Sequence, residues 1–288
     1  MADTPAGTIP AQAWDCHVHV FDPARFPYAE ARDYTPGPAS LDALRDRLHR
    51  EGVANTVLVQ PSVYGTDNRC LLRALHDLRP QGRAVAVVDP DRITDHELAD
   101  LQAAGVVGMR VNLVASHMPQ TDPLRRMAER LRGSGMFLQI FAPLARILQQ
   151  SAVLETAGLP VVLDHFAGAR ASDGPDQLAA LERLCRDAPI WIKLSADYRL
   201  ADDPATQVRL AQDLIDRLWA SMPKRLIWGS DWPHTGGGAD RAGRPIAETE
   251  PFREVDALAV PSLLAHMGLD ADALRQILSI NPTRLFAR

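Results

Sequence analysis

The chain has 288 residues, 46% of them hydrophobic, enough to bury the core of one α/β barrel or of two ordinary domains. Its formal net charge of -5, from 31 basic and 36 acidic residues scattered along the sequence, excludes a basic footprint for nucleic acid and a polybasic patch for anionic lipid. The opening MADTPAGTIPAQ lacks the charged start and apolar core of a signal peptide, and no later stretch approaches the roughly 18 unbroken apolar residues of a membrane helix. A soluble cytoplasmic protein is therefore expected, a monomer or small homo-oligomer without nucleic-acid or membrane partners.

In chain order, eight short runs rich in Val, Ile, Leu and Trp are predicted as strands. They are AWDCHVHV from Ala13, NTVLVQ from Asn55, AVAVVD from Ala84, VGMRVNL from Val107, MFLQIF from Met136, PVVLDH from Pro160, IWIKLS from Ile190 and LIWGSD from Leu226. Several are apolar throughout rather than alternating, as in parallel strands covered on both faces. Between them lie LDALRDRLHREG, NRCLLRALHDLR, DHELADLQAAG, DPLRRMAERLRGSG, LARILQQSAVLETAG, DQLAALERLCRD and ATQVRLAQDLIDRLWASM, whose apolar positions recur three and four apart as on helices. Cys16, Cys70 and Cys185 stand far apart with no C-x-x-C spacing, so they read as reduced core residues. Strand alternation turns Cys16 away from the flanking histidines.

Alternating strands and helices imply right-handed parallel crossovers, and eight such units over this length predict a single (β/α)8 TIM barrel spanning residues 1–288. A doubly wound sheet is the alternative, but no G-x-G-x-x-G follows the first run. Barrel chemistry gathers at the carboxyl ends of strands. There the sequence places His17 and His19, Gln60 with Ser62, Arg110 with Asn112, Asp164 with His165, Ser195 with Tyr198 and Arg199, and Ser230 and Asp231 before His234. His17 and His19 share one face of a strand, which suits a catalytic or metal-binding face; satisfied structural histidines are the alternative.

DCHVH, VVLDHFAG, KLSADYR, WGSDWPH and the closing NPTRLF together resemble the amidohydrolase superfamily, most of all its branch of 2-pyrone-4,6-dicarboxylate lactonases and related lactone hydrolases. The resemblance implies a barrel of the metal-dependent-hydrolase type. It implies metal or catalytic roles for His17, His19, His165 and Asp231. The fifth run ends in LQIF without the His or Lys of a binuclear site. In the lactonase branch this reduced set works without an obligatory metal, so no cofactor is expected to be obligatory; a single zinc or other divalent ion on the same four residues is the alternative.

Opening a lactone takes a base for the water proton, polarity at the carbonyl oxygen and an acid for the departing oxygen. Asp231 is the expected base, although an aspartate there also suits a helix N-cap. His165, His17 and His19 are expected to polarise the carbonyl. Arg110, among apolar neighbours in GMRVNL, needs either a buried carboxylate or an anionic substrate. Arg110 and Arg199 resemble the carboxylate clamps of related lactonases, with Ser62, Asn112, Tyr198 and His234 as further substrate contacts; Ser62, Asn68 and Asn112 are the weaker ones, as hydrogen-bond partners, and a place in the core is the alternative for Tyr198. Ser116 and Phe141 stand where dicarboxylate lactonases show cationic and tyrosine contacts, pointing to a muconolactone or sugar-acid lactone as well as a pyrone dicarboxylate. The loops FDPARFPYAEARDYTPGPA and TGGGADRAGRPIAETEPFRE should overhang the same mouth. A metal-dependent decarboxylase or hydrolase, a lactone isomerase and a non-catalytic binder are the competing functions.

Overall fold

A computed structural model describes residues 9–114, 122–237, 243–256, 258–267 and 269–286. The eight runs form the strands of one parallel sheet. They are β1 (Trp14–Val18), β2 (Asn55–Val59), β3 (Gly82–Ala86), β4 (Val106–Asn112), β5 (Phe137–Phe141), β6 (Val161–Leu163), β7 (Ile190–Leu194) and β8 (Leu226–Trp228). Each pairs in parallel with the next in sequence, and a bridge between Val18 and Trp232 brings the last strand back to the first. The fold is a (β/α)8 barrel.

The predicted helices follow their strands: α1 (Leu41–Glu51), α2 (Arg69–Asp77), α3 (Asp95–Ala103), α4 (Pro123–Leu131), α5 (Leu144–Gln149), α6 (Ser151–Glu155), α7 (Pro175–Asp187) and α8 (Pro204–Ser221). The stretch LARILQQSAVLETAG, expected as one helix, is two, because Gln150 leaves the helical region at φ -101° and ψ 9°. Buried side chains of α1, α2, α4, α7 and α8 join the outward-facing strand residues in one continuous apolar layer. Removing that surface from water is the main force holding helices to barrel.

A second cluster fills the barrel itself: Trp14, Val57, Val85, Phe137, Trp191 and Phe286 are among its members. Phe286 comes from the chain's end, where a π-helical turn (Gln276–Ile280) leads into a last helical turn (Asn281–Phe286). Its ring lies 5.5 Å from Trp14 and 5.7 Å from Phe137, while Asn281 Nδ2 donates to the carbonyls of Pro223 and Leu226 at 2.8 and 2.7 Å. NPTRLF is thus a plug at the amino-terminal end of the barrel, opposite the mouth.

At the mouth, the long loops after β1 and β8 meet as expected. Thr35–Pro36 and Thr249–Glu250 form a two-residue parallel ladder.

Candidate active site

The strand that carries the histidine pair is not regular. Asp15 lies opposite Thr56 but Val18 lies opposite Leu58, so Cys16 and His17 share the space facing Val57. That extra residue is a β-bulge, and it breaks the in-out alternation. Asp15 therefore points outwards, where its carboxylate takes Arg47 of α1 at 2.8 Å and the Ser230 amide at 2.8 Å. Cys16 turns inwards with Val57, Val59 and Ile227, contrary to the expectation that it faces away from the histidine side. His17 then follows it inwards and His19 regains the same side.

Gly229 lets β8 close against this bulge: a Cβ there would stand 2.7 Å from that of His17. Two hydrogen bonds lock the seam, Asp231 N to His17 O at 2.9 Å and His19 N to Trp232 O at 2.8 Å. Asp231 is thereby set beside the histidines in a left-handed conformation, φ 65°, uncommon outside glycine but one that aspartate adopts more readily than most residues. Among the described residues no helix starts at Asp231, so it is not an N-cap.

The two oxygens of Asp231 have different company. Oδ2 accepts from the Tyr198 hydroxyl at 2.5 Å and from Arg199 Nη2 at 3.4 Å. Oδ1 faces three imidazole Nε2 atoms, of His17 at 3.4 Å, His19 at 3.6 Å and His165 at 3.8 Å. Burial raises the pKa of this carboxyl, but the neighbouring imidazoles and Arg199 outweigh it and hold Asp231 well below the usual carboxylate range. Burial is also the main reason that His17 is pushed down to about 3 and His165 well below its ordinary value. Both rings are neutral at pH 7. His165, at φ 52°, is fixed by Ser195 Oγ at 2.8 Å from Nδ1, and His19 Nδ1 donates to the Val59 carbonyl at 2.7 Å.

Beneath this layer lies a charged group that the sequence only partly announced. Asp164 is fully buried, with Lys193 Nζ 3.0 Å from its Oδ1. Its Oδ2 accepts from Gln139 Nε2 at 3.0 Å and lies 3.3 Å from Arg110 Nη2. Arg110 thus has the buried carboxylate its apolar surroundings demanded, and its Nη1 reaches the Gln60 carbonyl at 3.3 Å. Lys193 was missed. The same reasoning that singles out Arg110 applies to a lysine inside IWIKL, where the side chain is 1% exposed. With His17 and His165 neutral, the cations Arg110, Lys193 and Arg199 outnumber the carboxylates Asp164 and Asp231 by one. The cluster therefore favours an arriving anion.

Above it opens a cavity of about 290 Å³, lined by His19, His165, Asp231, Arg110, Arg199 and Phe141 among others. That volume lies at the lower end of small-molecule sites, room for one substituted ring. Ser62 and Asn112 also line it. Tyr198 and His234 do not: Tyr198 acts from behind Asp231, and His234 packs edge-on against Tyr198 with ring centroids 6.3 Å apart. Asn68 is displaced too; its side chain brackets the backbone of Val87, donating at 2.8 Å and accepting at 3.1 Å. Ser116 lies outside the described residues. The Phe141 ring sits between the two arginines, 5.6 Å from each guanidinium.

The amidohydrolase family model matches residues 14–288. The chain belongs to that family. It is 33% identical to the 4-sulfomuconolactone hydrolase of Rhizobium radiobacter, over 96% of this chain and 91% of that one. It is 31% identical to the 2-pyrone-4,6-dicarboxylate hydrolase of Comamonas testosteroni, over 98% and 92%. A solved structure of a 2-pyrone-4,6-dicarboxylic acid hydrolase assigned in Pseudomonas putida superposes with a TM-score of 0.80 at 31% identity, covering 97% of this chain and 98% of that one.

Members of an amidohydrolase barrel often hold a metal ion, and two groups here have ligand atoms close enough: His17, His19 and Asp231, and His17, Asp164 and His165. Ligation takes the lone pair of a ring nitrogen. His19 offers one at Nε2, since its proton is on Nδ1. His17 does not: Lys193 Nζ stands in hydrogen-bond geometry 3.1 Å from His17 Nδ1, which leaves the ring proton on Nε2. In this arrangement of protons the residues do not fit a metal, although their spacing does.

Proposed function

We propose that this amidohydrolase is a lactonase, opening a carboxylated lactone by attack of water on the ring carbonyl, with Asp231 as general base. The observation that carries the reading is the asymmetry of Asp231: one oxygen pinned by Tyr198 and Arg199, the other presented to the cavity among three imidazoles. The relatives that open sulfomuconolactone and pyrone dicarboxylate rings support it.

Water held by Asp231 Oδ1 attacks the carbonyl carbon and gives its proton to that oxygen. The carbonyl oxygen becomes an oxyanion, stabilised by the His165 imidazole and the surplus positive charge of the site. When the tetrahedral intermediate collapses, the bond from the carbonyl carbon to the ring oxygen breaks and the ring oxygen takes the proton back from Asp231. The product is an open-chain hydroxy acid, and Asp231 is returned as a carboxylate. A carboxyl held as low as that of Asp231 is ionised at every working pH but is a weak base. A substrate carboxylate drawing Arg199 off Oδ2 would raise its basicity as the lactone binds.

Arg199 is the anchor for an anionic substituent, a task the planar guanidinium fork suits, while Arg110 lines the cavity with its charge paired to Asp164. The Phe141 face between them takes an uncharged part of the ring. Pyrone dicarboxylates, muconolactones and sugar-acid lactones all satisfy these demands. Among the described residues no helix is long and apolar enough to cross a membrane, and all three cysteines are buried and unpaired, which fits the reducing cytoplasm. The test is a panel of these lactones followed by acid release at constant pH. At least one should open at a rate that Asp231→Asn lowers by about a thousandfold, the range of a lost general base; a wild-type protein inert towards all three classes would refute it.

A further inference from the structure

The proton arrangement around His17 is one continuous chain. Lys193 Nζ donates to His17 Nδ1 at 3.1 Å; His17 Nε2 then carries hydrogen and stands 3.3 Å from His19 Nε2 and 3.4 Å from Asp231 Oδ1. His19 Nε2 is free to accept because His19 Nδ1 donates to the Val59 carbonyl. The links from Lys193 through His17 run from the barrel interior towards Asp231, and the branch through His19 ends at the Val59 carbonyl.

The opposite arrangement has its partner at hand. Asp164 Oδ1 lies 3.3 Å from His17 Nδ1, but Lys193 Nζ stands closer to that oxygen, at 3.0 Å, and bridges it to the ring. A carboxylate accepting from the far nitrogen of a histidine is the arrangement by which metal sites free the near nitrogen to ligate. Here an ammonium group occupies that role, and an ammonium can only donate.

We infer that Lys193 is a positioning residue that fixes the tautomer of His17, making its Nε2 a hydrogen-bond donor to the Asp231 and His19 side and disabling the first-strand histidine pair as a ligand set for a divalent cation. Lys193 is thus the element of this barrel that commits it to hydrogen-bond catalysis. Without it, the His17 proton moves from Nε2 to Nδ1 and is shared in a hydrogen bond with Asp164 Oδ1, and His17, His19 and Asp231 converge as three lone-pair donors within 4.8 Å of one another.

The wild-type protein decides the first half. Nitrogen-15 spectra of histidine-labelled protein, correlating ring nitrogens with ring protons, should show His17 protonated at Nε2; a proton on Nδ1 overturns the proposal. Zinc competition against a chromophoric chelator decides the second half. Lys193→Met should bind Zn²⁺ at least tenfold more tightly than wild type and move the His17 proton to Nδ1, the size of effect that outer partners exert on metal sites. Equal zinc affinity in the two proteins overturns the proposal. Should Lys193→Met fail to fold, the wild-type tautomer by itself upholds or overturns the role given to Lys193. Neither readout depends on lactone turnover, so failure here and failure of the lactonase reading are separately visible.

Discussion

Lowering the pH from 6.5 to 4 should remove about 6 kcal/mol of this protein's stability. His17 and His234 have folded-state pKa values pushed down, to about 3 and about 4, from 6.5. In both, burial is the first cause. A group depressed in this way contributes stability that is present above 6.5 and lost as the pH falls, because the unfolded chain takes up a proton that the folded chain refuses. At pH 4 the unfolded imidazole is about 2.5 units below its own pKa, which at 1.36 kcal/mol per unit makes about 3 kcal/mol for each ring. His165 acts in the same sense. Asp231 and Asp164, held low in the fold, begin to act only as the pH falls below about 4, the unfolded carboxylate value. The loss of about 6 kcal/mol is comparable with the whole stability of an ordinary domain. Urea unfolding followed by tryptophan fluorescence should show the midpoint collapsing over this window. His17→Asn, which removes one titrating ring, should recover about 3 kcal/mol of the difference between the two pH values. A wild-type midpoint that holds between pH 6.5 and 4, or a fall untouched by His17→Asn, would refute the reasoning.

Arg47→Met should lower the thermal midpoint by about 10 °C, because it strands the fully buried Asp15 carboxylate and breaking a buried pair from one side costs about 3–5 kcal/mol; calorimetry checks it, and a shift under about 3 °C by that measure would contradict the role given to Asp15. Gly168→Ala should destabilise by about 2–5 kcal/mol, since the new Cβ would stand 1.9 Å from the Ala142 carbonyl oxygen at φ +66°. Because Gly168 also lines the cavity three residues after His165, turnover should fall with stability in that variant; denaturant titration and lactone assays on the same sample check both.

The eight strands were legible because each lies in a sheet covered on both faces, so its burial requirement is written along the whole run instead of every second residue. The gathering of ionisable groups at the run ends then located the mouth. What the sequence could not convey was the local departure from ideal geometry. The bulge at Cys16 and His17 adds one residue against Val57 and reverses the facing of everything before it, and nothing in DCHVH distinguishes that from a regular strand. Tyr198 and His234 were placed in the cavity because they follow strand ends; the 3₁₀ turn over Asp197–Arg199 instead directs Tyr198 at the back of Asp231. The Asp164 group depends on contacts across β4, β5, β6 and β7, so its partners could be demanded but not named. Lys193 alone was within reach, by the rule that a charged side chain inside an apolar strand needs a purpose.

If water directed by Asp231 adds to a lactone carbonyl, its oxygen must stay in the product. Turnover of the best lactone from the panel in water enriched in oxygen-18, with product analysed by mass spectrometry, tests this most directly. One heavy oxygen should enter the new carboxylate of the ring-opened acid at each turnover, and the labelled product should fall together with the rate in Asp231→Asn. An isomeric lactone formed without the label, or labelled acid formed equally fast by Asp231→Asn, would contradict it.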